Sequence, residues 1–146
     1  MKIPNEKDWE NWNLNEDTRY SHGRFAGKSN EEAQSYFKLN VIEATDELRW
    51  MPKVPFQYYM IAFKDFVESK QYDEDDAPNV ASCFIGLVLE KLESSSEVIE
   101  PIIHDLLPTM EYIAMNQAEY DADIKIYGNF QIKMNQIKKI LDKASR

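Results

Sequence analysis

The sequence has 146 residues, of which 43% are hydrophobic and 12% aromatic, so it is long and apolar enough for one domain with a hydrophobic core. Its four glycines are about 3% of the chain against a usual share of about 7%, which argues against phosphate-binding loops and β-rich folds. The formal net charge of −9 argues against general nucleic-acid binding, because an acidic surface repels phosphate backbones.

We expect a cytoplasmic protein without a membrane span. No stretch of the sequence approaches the roughly 18 apolar residues that a membrane helix needs. The first residues, MKIPNEKDWENWN, lack the apolar segment of a signal peptide. The single cysteine, Cys83, cannot form an internal disulfide, which is typical of a reducing compartment.

Residues 1–28 are predicted to form a polar, irregular N-terminal segment that carries several aromatic side chains. Trp9 and Trp12 are three residues apart, so they share one face of a short helix predicted over about residues 6–13. Aromatic residues in such a segment usually attach it to the body of the domain.

A capping box begins the first well-defined helix, since Ser29 is followed three residues later by Glu32. Apolar residues then recur at the spacing of one helix face: Ala33, Phe37, Val41, Ala44 and Leu48. The pattern predicts a single helix from residue 29 to about residue 50. Pro52 disfavours helix at the residue before it, whereas Pro55 suits a first helical turn, so residues 49–60 (RWMPKVPFQYYM) are predicted to join two helices.

Three helical stretches follow this corner. The first runs from Pro55 to about residue 70 and ends in an acidic linker. The second covers residues 78–93 and is apolar around most of its circumference, which predicts the central, most buried helix. The third starts at about residues 97–99 and continues to about residue 118, with a kink or break expected at Pro108.

Residues 119–134 fit two structures. Alternating apolar residues around Gly128-Asn129 fit a β-hairpin, whereas Phe130, Met134 and Ile137 follow helical spacing. We favour a helix over about residues 129–144, because a lone two-stranded hairpin is marginally stable. The predicted fold is one all-α domain over residues 1–146, either a helical bundle or a short helical-repeat-like stack of five to seven helices. The alternative is an α+β fold with a small hairpin near residues 123–134.

The sequence contains no catalytic, cofactor-binding or metal-binding set that we recognise. Glu97, Glu100 and His104 are spaced to share a helix side, but the Glu-x-x-His motif of di-iron bundles is not met. Cys83 lies in the most apolar helix, where a thiol is usually an inert packing group. The stretch GRFAGKS at residues 23–29 is one residue too short for a Walker loop and lacks a preceding strand.

We therefore predict a non-catalytic protein-binding module. Residues 1–120 carry a net charge of −12 and residues 121–146 carry +3. An acidic surface suits a basic protein partner, as in an inhibitor or immunity-type protein that neutralises a basic nuclease toxin, although acidity also serves solubility. Two aromatic residues near the corner do not belong to an apolar helix face, since Trp50 lies at the turn and Tyr58 lies off the apolar stripe of the next helix. The candidate contact residues are these two and the acidic run in the linker: Trp50, Tyr58, Asp73, Glu74, Asp75 and Asp76.

Two alternatives remain open. A small-ligand-binding protein or an enzyme would have a deep interhelical pocket with convergent histidine or acidic side chains. A homodimer would bury an exposed apolar face against a second copy.

Overall fold

In the computed structural model, residues 1–145 are described, and no β-strand occurs among them. Nine α-helices are present in this part of the chain: α1 (Glu16–Phe25), α2 (Asn30–Leu39), α3 (Val41–Arg49), α4 (Lys53–Ser69), α5 (Ala77–Ser94), α6 (Ser96–Ile99), α7 (Ile103–Met115), α8 (Ile124–Tyr127) and α9 (Phe130–Ala144). Short 3-10 helices cover Glu6–Trp9, Trp12–Leu14, Glu74–Asp76, Glu100–Ile102 and Gln117–Tyr120.

The predicted all-α fold is confirmed, and the arrangement is compatible with a bundle or stack, but the predicted number of five to seven helices is too small. One reason is that the helix expected over residues 29–50 is two helices. Asn40 has extended backbone angles (φ −160°, ψ 93°), and its side chain accepts a hydrogen bond from the Glu43 N–H. Asparagine is a strong N-cap, so α3 begins there although the apolar spacing runs through without interruption.

The N-terminal segment contains a helix, α1, that was not predicted because its apolar pattern is weak. Asn15 caps α1 by accepting hydrogen bonds from the N–H groups of Asp17 and Thr18. Only Ser21 and Phe25 of this helix are buried, so no apolar stripe marks it. The helix expected at residues 6–13 is replaced by the first two 3-10 helices.

The hairpin alternative for residues 123–134 is wrong, and the favoured helix is present as α9, preceded by the short α8. The Gln117 side chain fixes the junction by donating to the Gly128 carbonyl at 2.7 Å and accepting from the Phe130 N–H at 2.9 Å. Ile124, Ile126 and Ile132 are exposed, so their alternation does not reflect a buried strand face.

The core lies around α4 and α5. Phe63 of α4 stacks on Phe37 of α2 at 4.9 Å between ring centroids and meets Phe84 of α5 edge-on at 5.3 Å. The buried apolar residues form one cluster that extends from Trp9 to Ile137. The helix break predicted at Pro108 is wrong, because α7 continues through Pro108. The predicted 97–118 helix is instead interrupted by the 3-10 helix at Glu100–Ile102, which the sequence pattern did not indicate. Within residues 1–145, no helix combines the length and apolar character needed to cross a membrane.

Candidate functional site

The structure separates the two aromatic residues singled out at the corner between α3 and α4. Trp50 is 43% exposed, whereas Tyr58 is 8% exposed. The Tyr58 hydroxyl accepts a hydrogen bond of 2.8 Å from the backbone N–H of Asn30, the first residue of α2. Tyr58 therefore joins α4 to the start of α2, and only Trp50 presents a large surface to a partner.

The acidic run lies at the far end of α4 from Trp50. Asp73, Glu74 and Asp75 are exposed and Asp76 is half-buried. They are separated from Trp50 by the 17 residues of α4, a helix of about 25 Å. Glu74 and Asp75 line a groove together with Glu119 and Asp121. Trp50 and the acidic run therefore lie on two different surfaces, and Tyr58 lies on neither.

A second acidic surface surrounds Trp50, and we call it the α1–α3 groove. It has a volume of about 240 Å³ and is lined by Asp17, Tyr20, Glu43, Asp46, Glu47 and Trp50. Tyr20 is 66% exposed, so two large aromatic side chains lie beside four carboxylates. Exposed tyrosine and tryptophan are enriched at interface hot spots.

The spacing of these residues places them on the facing sides of α1 and α3. Asp17 and Tyr20 are three apart on α1, while Glu43, Asp46 and Glu47 share one side of α3. Two hydrogen bonds hold the helices together beneath the groove. The Ser21 hydroxyl donates to the Glu47 carbonyl at 2.5 Å, and the Thr18 hydroxyl donates to the Trp50 carbonyl at 3.1 Å.

Glu47 is the one buried carboxylate of the groove, at 7% exposure. Its Oε1 accepts a hydrogen bond of 3.1 Å from Arg24 Nε, whereas its Oε2 is buried and has no hydrogen-bond partner in residues 1–145. Burial raises the pKa of Glu47, and the nearby Arg24 charge opposes that rise. The groove thus contains an acidic group with an unfilled hydrogen-bond acceptor.

The rim carboxylates differ in their pairing. Asp46 binds Arg49 at 2.5 Å, and Arg49 also binds Glu90 of α5 at 2.8 Å. Glu43 binds Arg24 at 2.8 Å. The exposed carboxylate of Asp17 has no ion pair in the part of the chain that the structure describes. Among the four carboxylates of the groove, Asp17 thus has no ion pair and Glu47 has one oxygen, Oε2, without a hydrogen-bond partner in residues 1–145.

Another cleft, of about 280 Å³, lies between the end of α4, α7 and the 3-10 helix before α8. It is lined by Val67, Glu68, Lys70, Pro108, Thr109, Tyr112 and Tyr120. Its polar groups pair with one another: Thr109 donates to Glu68 at 2.6 Å, and Lys70 binds Glu119 at 2.9 Å. Its lining residues include no histidine, and the one carboxylate among them, Glu68, accepts the hydrogen bond from Thr109.

The sequence candidates for metal and thiol chemistry are not assembled into sites. Glu97 lies on α6, Glu100 in the following 3-10 helix and His104 on α7, so they do not share one regular helix. Among residues 1–145, no group of three or more metal-binding side chains has the geometry to hold an ion. Burial raises the pKa of the Cys83 thiol, which disfavours the nucleophilic thiolate.

Sequence reasoning missed most of the α1–α3 groove, although a signal for it existed. Glu43, Asp46 and Glu47 fall outside the apolar positions of the helix predicted over residues 29–50, but their proximity to Asp17 and Tyr20 depends on α1, which was not predicted. The N-cap signal of Asn15 followed by Glu16 and Asp17 was readable in the sequence and would have revealed that helix.

Comparison with known protein families, with curated proteins and with solved structures finds no match for this chain.

Proposed function

We propose that this chain is a non-catalytic protein-binding module whose α1–α3 groove binds a basic segment of a protein partner. The observation that carries the proposal is the side-by-side placement of two exposed aromatic residues, Tyr20 and Trp50, with the carboxylates of Asp17, Asp46 and Glu47. The rings supply apolar contact area, and the carboxylates supply charge that selects a basic partner.

The size of the groove, about 240 Å³, leaves room for a side chain of a protein partner. A side chain from a partner is a suitable occupant, since the rest of that partner can rest on the surrounding acidic surface.

The net charge of −9 extends the attraction beyond the groove itself. A large negative charge accelerates encounter with a positively charged protein and repels acidic competitors. These properties suit an inhibitor or immunity-type protein that neutralises a basic toxin such as a nuclease, which is the specific form of the function that we propose.

A pair of charge-matched variants tests the groove. Asp17→Asn with Asp46→Asn removes two charges from the α1–α3 groove, and Glu74→Gln with Asp75→Asn removes two from the other acidic surface. Both variants have the same net charge, so a general electrostatic effect weakens binding equally in the two. Each immobilised variant is compared with the wild-type chain by quantitative capture from a lysate.

We expect the groove variant to capture less of one or more basic proteins than the wild-type chain does, whereas the control variant should capture them as well as the wild-type chain. Purified, such a protein should bind the wild-type chain with an affinity that falls as salt is added. Equal recovery of every captured protein by both variants would refute the proposed role of the groove. Light scattering of the free chain tests the homodimer alternative, which predicts a dimer in the absence of any partner.

A further inference from the structure

We infer that the α1–α3 groove selects an arginine side chain of the partner, whose guanidinium group lies against Tyr20 and Trp50 and donates to Asp17 and Glu47. This inference rests on the proposed function and adds the chemistry of the group that is recognised. Glu47 lines the groove, and its Oε2 atom is buried without a hydrogen-bond partner in the described chain.

The molecule already contains one guanidinium bound in this manner, on the neighbouring side of Glu47. Arg24 Nε lies 3.1 Å from Glu47 Oε1, and Arg24 Nη2 lies 2.8 Å from Glu43 Oε1. The same guanidinium is 5.7 Å from the centre of the Tyr36 ring. Two carboxylates and one aromatic ring thus contact Arg24. Its hydrogen bond occupies Oε1 of Glu47, and Oε2 has no partner in the described chain.

The α1–α3 groove contains the same kinds of group that surround Arg24, namely carboxylates and aromatic rings. Glu47 contributes its second oxygen, Asp17 contributes an exposed carboxylate without an ion pair, and Tyr20 and Trp50 contribute aromatic faces. A planar guanidinium with five donors satisfies two separate carboxylates and stacks on a ring at the same time. An ammonium group is a compact, strongly hydrated charge, so it gains less from the rings and from the buried oxygen.

Asp46 already has an arginine partner, because Arg49 forms ion pairs with both Asp46 and Glu90. Both basic residues that contact the acidic side chains of this groove, Arg24 and Arg49, are arginines, within the residues that the structure describes. The groove thus has local charge compensation at Glu43, Asp46 and Glu47, whereas Asp17 has no ion pair and Glu47 Oε2 has no hydrogen-bond partner in the described chain. One additional guanidinium would complete the pairing.

The test uses two peptides of equal charge, hexa-arginine and hexa-lysine, with the intact chain at about 0.15 M salt, where long-range attraction is screened. Affinities are measured by isothermal titration calorimetry, and the tryptophan indole signals in NMR spectra, assigned with Trp50→Phe, report contact at the groove. We expect hexa-arginine to bind about five- to tenfold more tightly than hexa-lysine, a difference typical of desolvated cation–aromatic contacts.

Two variants decide whether that preference arises in the groove. Tyr20→Ala changes a side chain that is 66% exposed and leaves the fold intact, and Glu47→Gln removes the buried charge. Both should lower the hexa-arginine affinity to near that of hexa-lysine, whereas Glu74→Gln with Asp75→Asn should preserve the preference. If Glu47→Gln does not fold, Tyr20→Ala with Asp17→Asn provides the same comparison on exposed residues.

The outcomes separate this inference from the function on which it rests. Equal affinity for the two peptides, lost in the Asp17→Asn, Asp46→Asn variant, would overturn arginine selection and leave the basic-partner groove standing. If the affinity for the peptides fell in the Glu74→Gln, Asp75→Asn variant and was unchanged in the Asp17→Asn, Asp46→Asn variant, both arginine selection and the basic-partner role of the groove would be overturned. A hexa-arginine preference that survives Tyr20→Ala and Asp17→Asn would also overturn arginine selection at this site.

Discussion

The Ser21 hydroxyl on α1 donates a 2.5 Å hydrogen bond to the backbone carbonyl of Glu47 on α3. Ser21 is fully buried, and its hydroxyl lies also within 3.2 Å of the Asp17 carbonyl in the preceding turn. A small side chain at this position lets the two helices approach closely. The contact therefore sets the distance between the two walls of the α1–α3 groove.

Ser21→Ala should lower the free energy of unfolding by about 1 kcal/mol, because a buried hydrogen bond between helices is lost. Urea denaturation measures the change through a lower midpoint at an unchanged slope. Ser35→Ala is the control, since the exposed Ser35 hydroxyl donates its hydrogen bond to the Glu32 carbonyl within its own helix. An effect no larger than that of the control would show that the Ser21 contact does not hold α1 against α3.

Tyr58→Phe should also lower the free energy of unfolding by about 1 kcal/mol, since the Asn30 N–H at the start of α2 loses its acceptor. The same substitution should leave hexa-arginine binding unchanged, because Tyr58 is buried away from the groove. Tyr36→Phe is a matched control for stability, because no hydrogen bond of the Tyr36 hydroxyl is present within residues 1–145. If Tyr58→Phe bound hexa-arginine more weakly at unchanged stability, Tyr58 would be part of the contact surface.

Glu47 should make the stability of the chain depend on pH in a direction opposite to that of an ordinary paired carboxylate. Burial raises its folded-state pKa above the ordinary 4.5, so the native state binds more protons than the unfolded state as pH falls toward 4.5. The contribution of Glu47 is then most favourable below pH 4.5 and is lost as pH rises through the folded-state pKa.

The measurement compares the wild-type chain with Glu47→Gln by urea denaturation at several pH values between 4.5 and 7. Glutamine does not titrate, and the other carboxylates cancel in the difference between the two proteins. The wild-type chain should gain stability relative to the variant as pH decreases across this interval. A difference that is constant, or that changes in the opposite direction, would contradict a raised pKa at Glu47.

Gly86→Ala should raise the free energy of unfolding by about 0.5–1 kcal/mol, because glycine in a helix interior is less favourable than alanine. Gly86 lies within α5, and a Cβ atom added there meets no atom within 4 Å. Gly27→Ala is the contrasting variant, since Gly27 has a φ of +78° that strains any residue with a Cβ. Thermal unfolding should therefore shift upward for Gly86→Ala and downward for Gly27→Ala, and a downward shift for both would mean that Gly86 is needed for packing.

Local signals allowed much of the helical structure to be predicted. The Ser29–Glu32 capping box is present as expected, and the apolar spacing of Phe130, Met134 and Ile137 corresponds to the buried side of α9. The corner at residues 49–60 does separate two helices, although α4 begins two residues before Pro55. These features depend on interactions between residues a few positions apart, which a sequence displays directly.

Boundaries between helices of continuous apolar spacing were harder to predict. Asn40 divides α2 from α3 without disturbing that spacing, because the cap acts on the backbone and not on the buried face. The hairpin alternative arose because isoleucines at 124, 126 and 132 alternate, yet all three are exposed. Apolar periodicity therefore predicts a buried face only where tertiary packing covers it.

By itself, the sequence determined that the chain is acidic, helical and 12% aromatic. Only the tertiary structure decided which aromatics are exposed: Tyr58 turns inward to the start of α2, while Trp50 remains outside next to Tyr20. It also left Glu47 buried with one oxygen unpaired and placed the acidic run of residues 73–76 at the opposite end of α4. Exposure and pairing depend on contacts between residues far apart in the chain, and neither helix propensity nor local spacing carries that information.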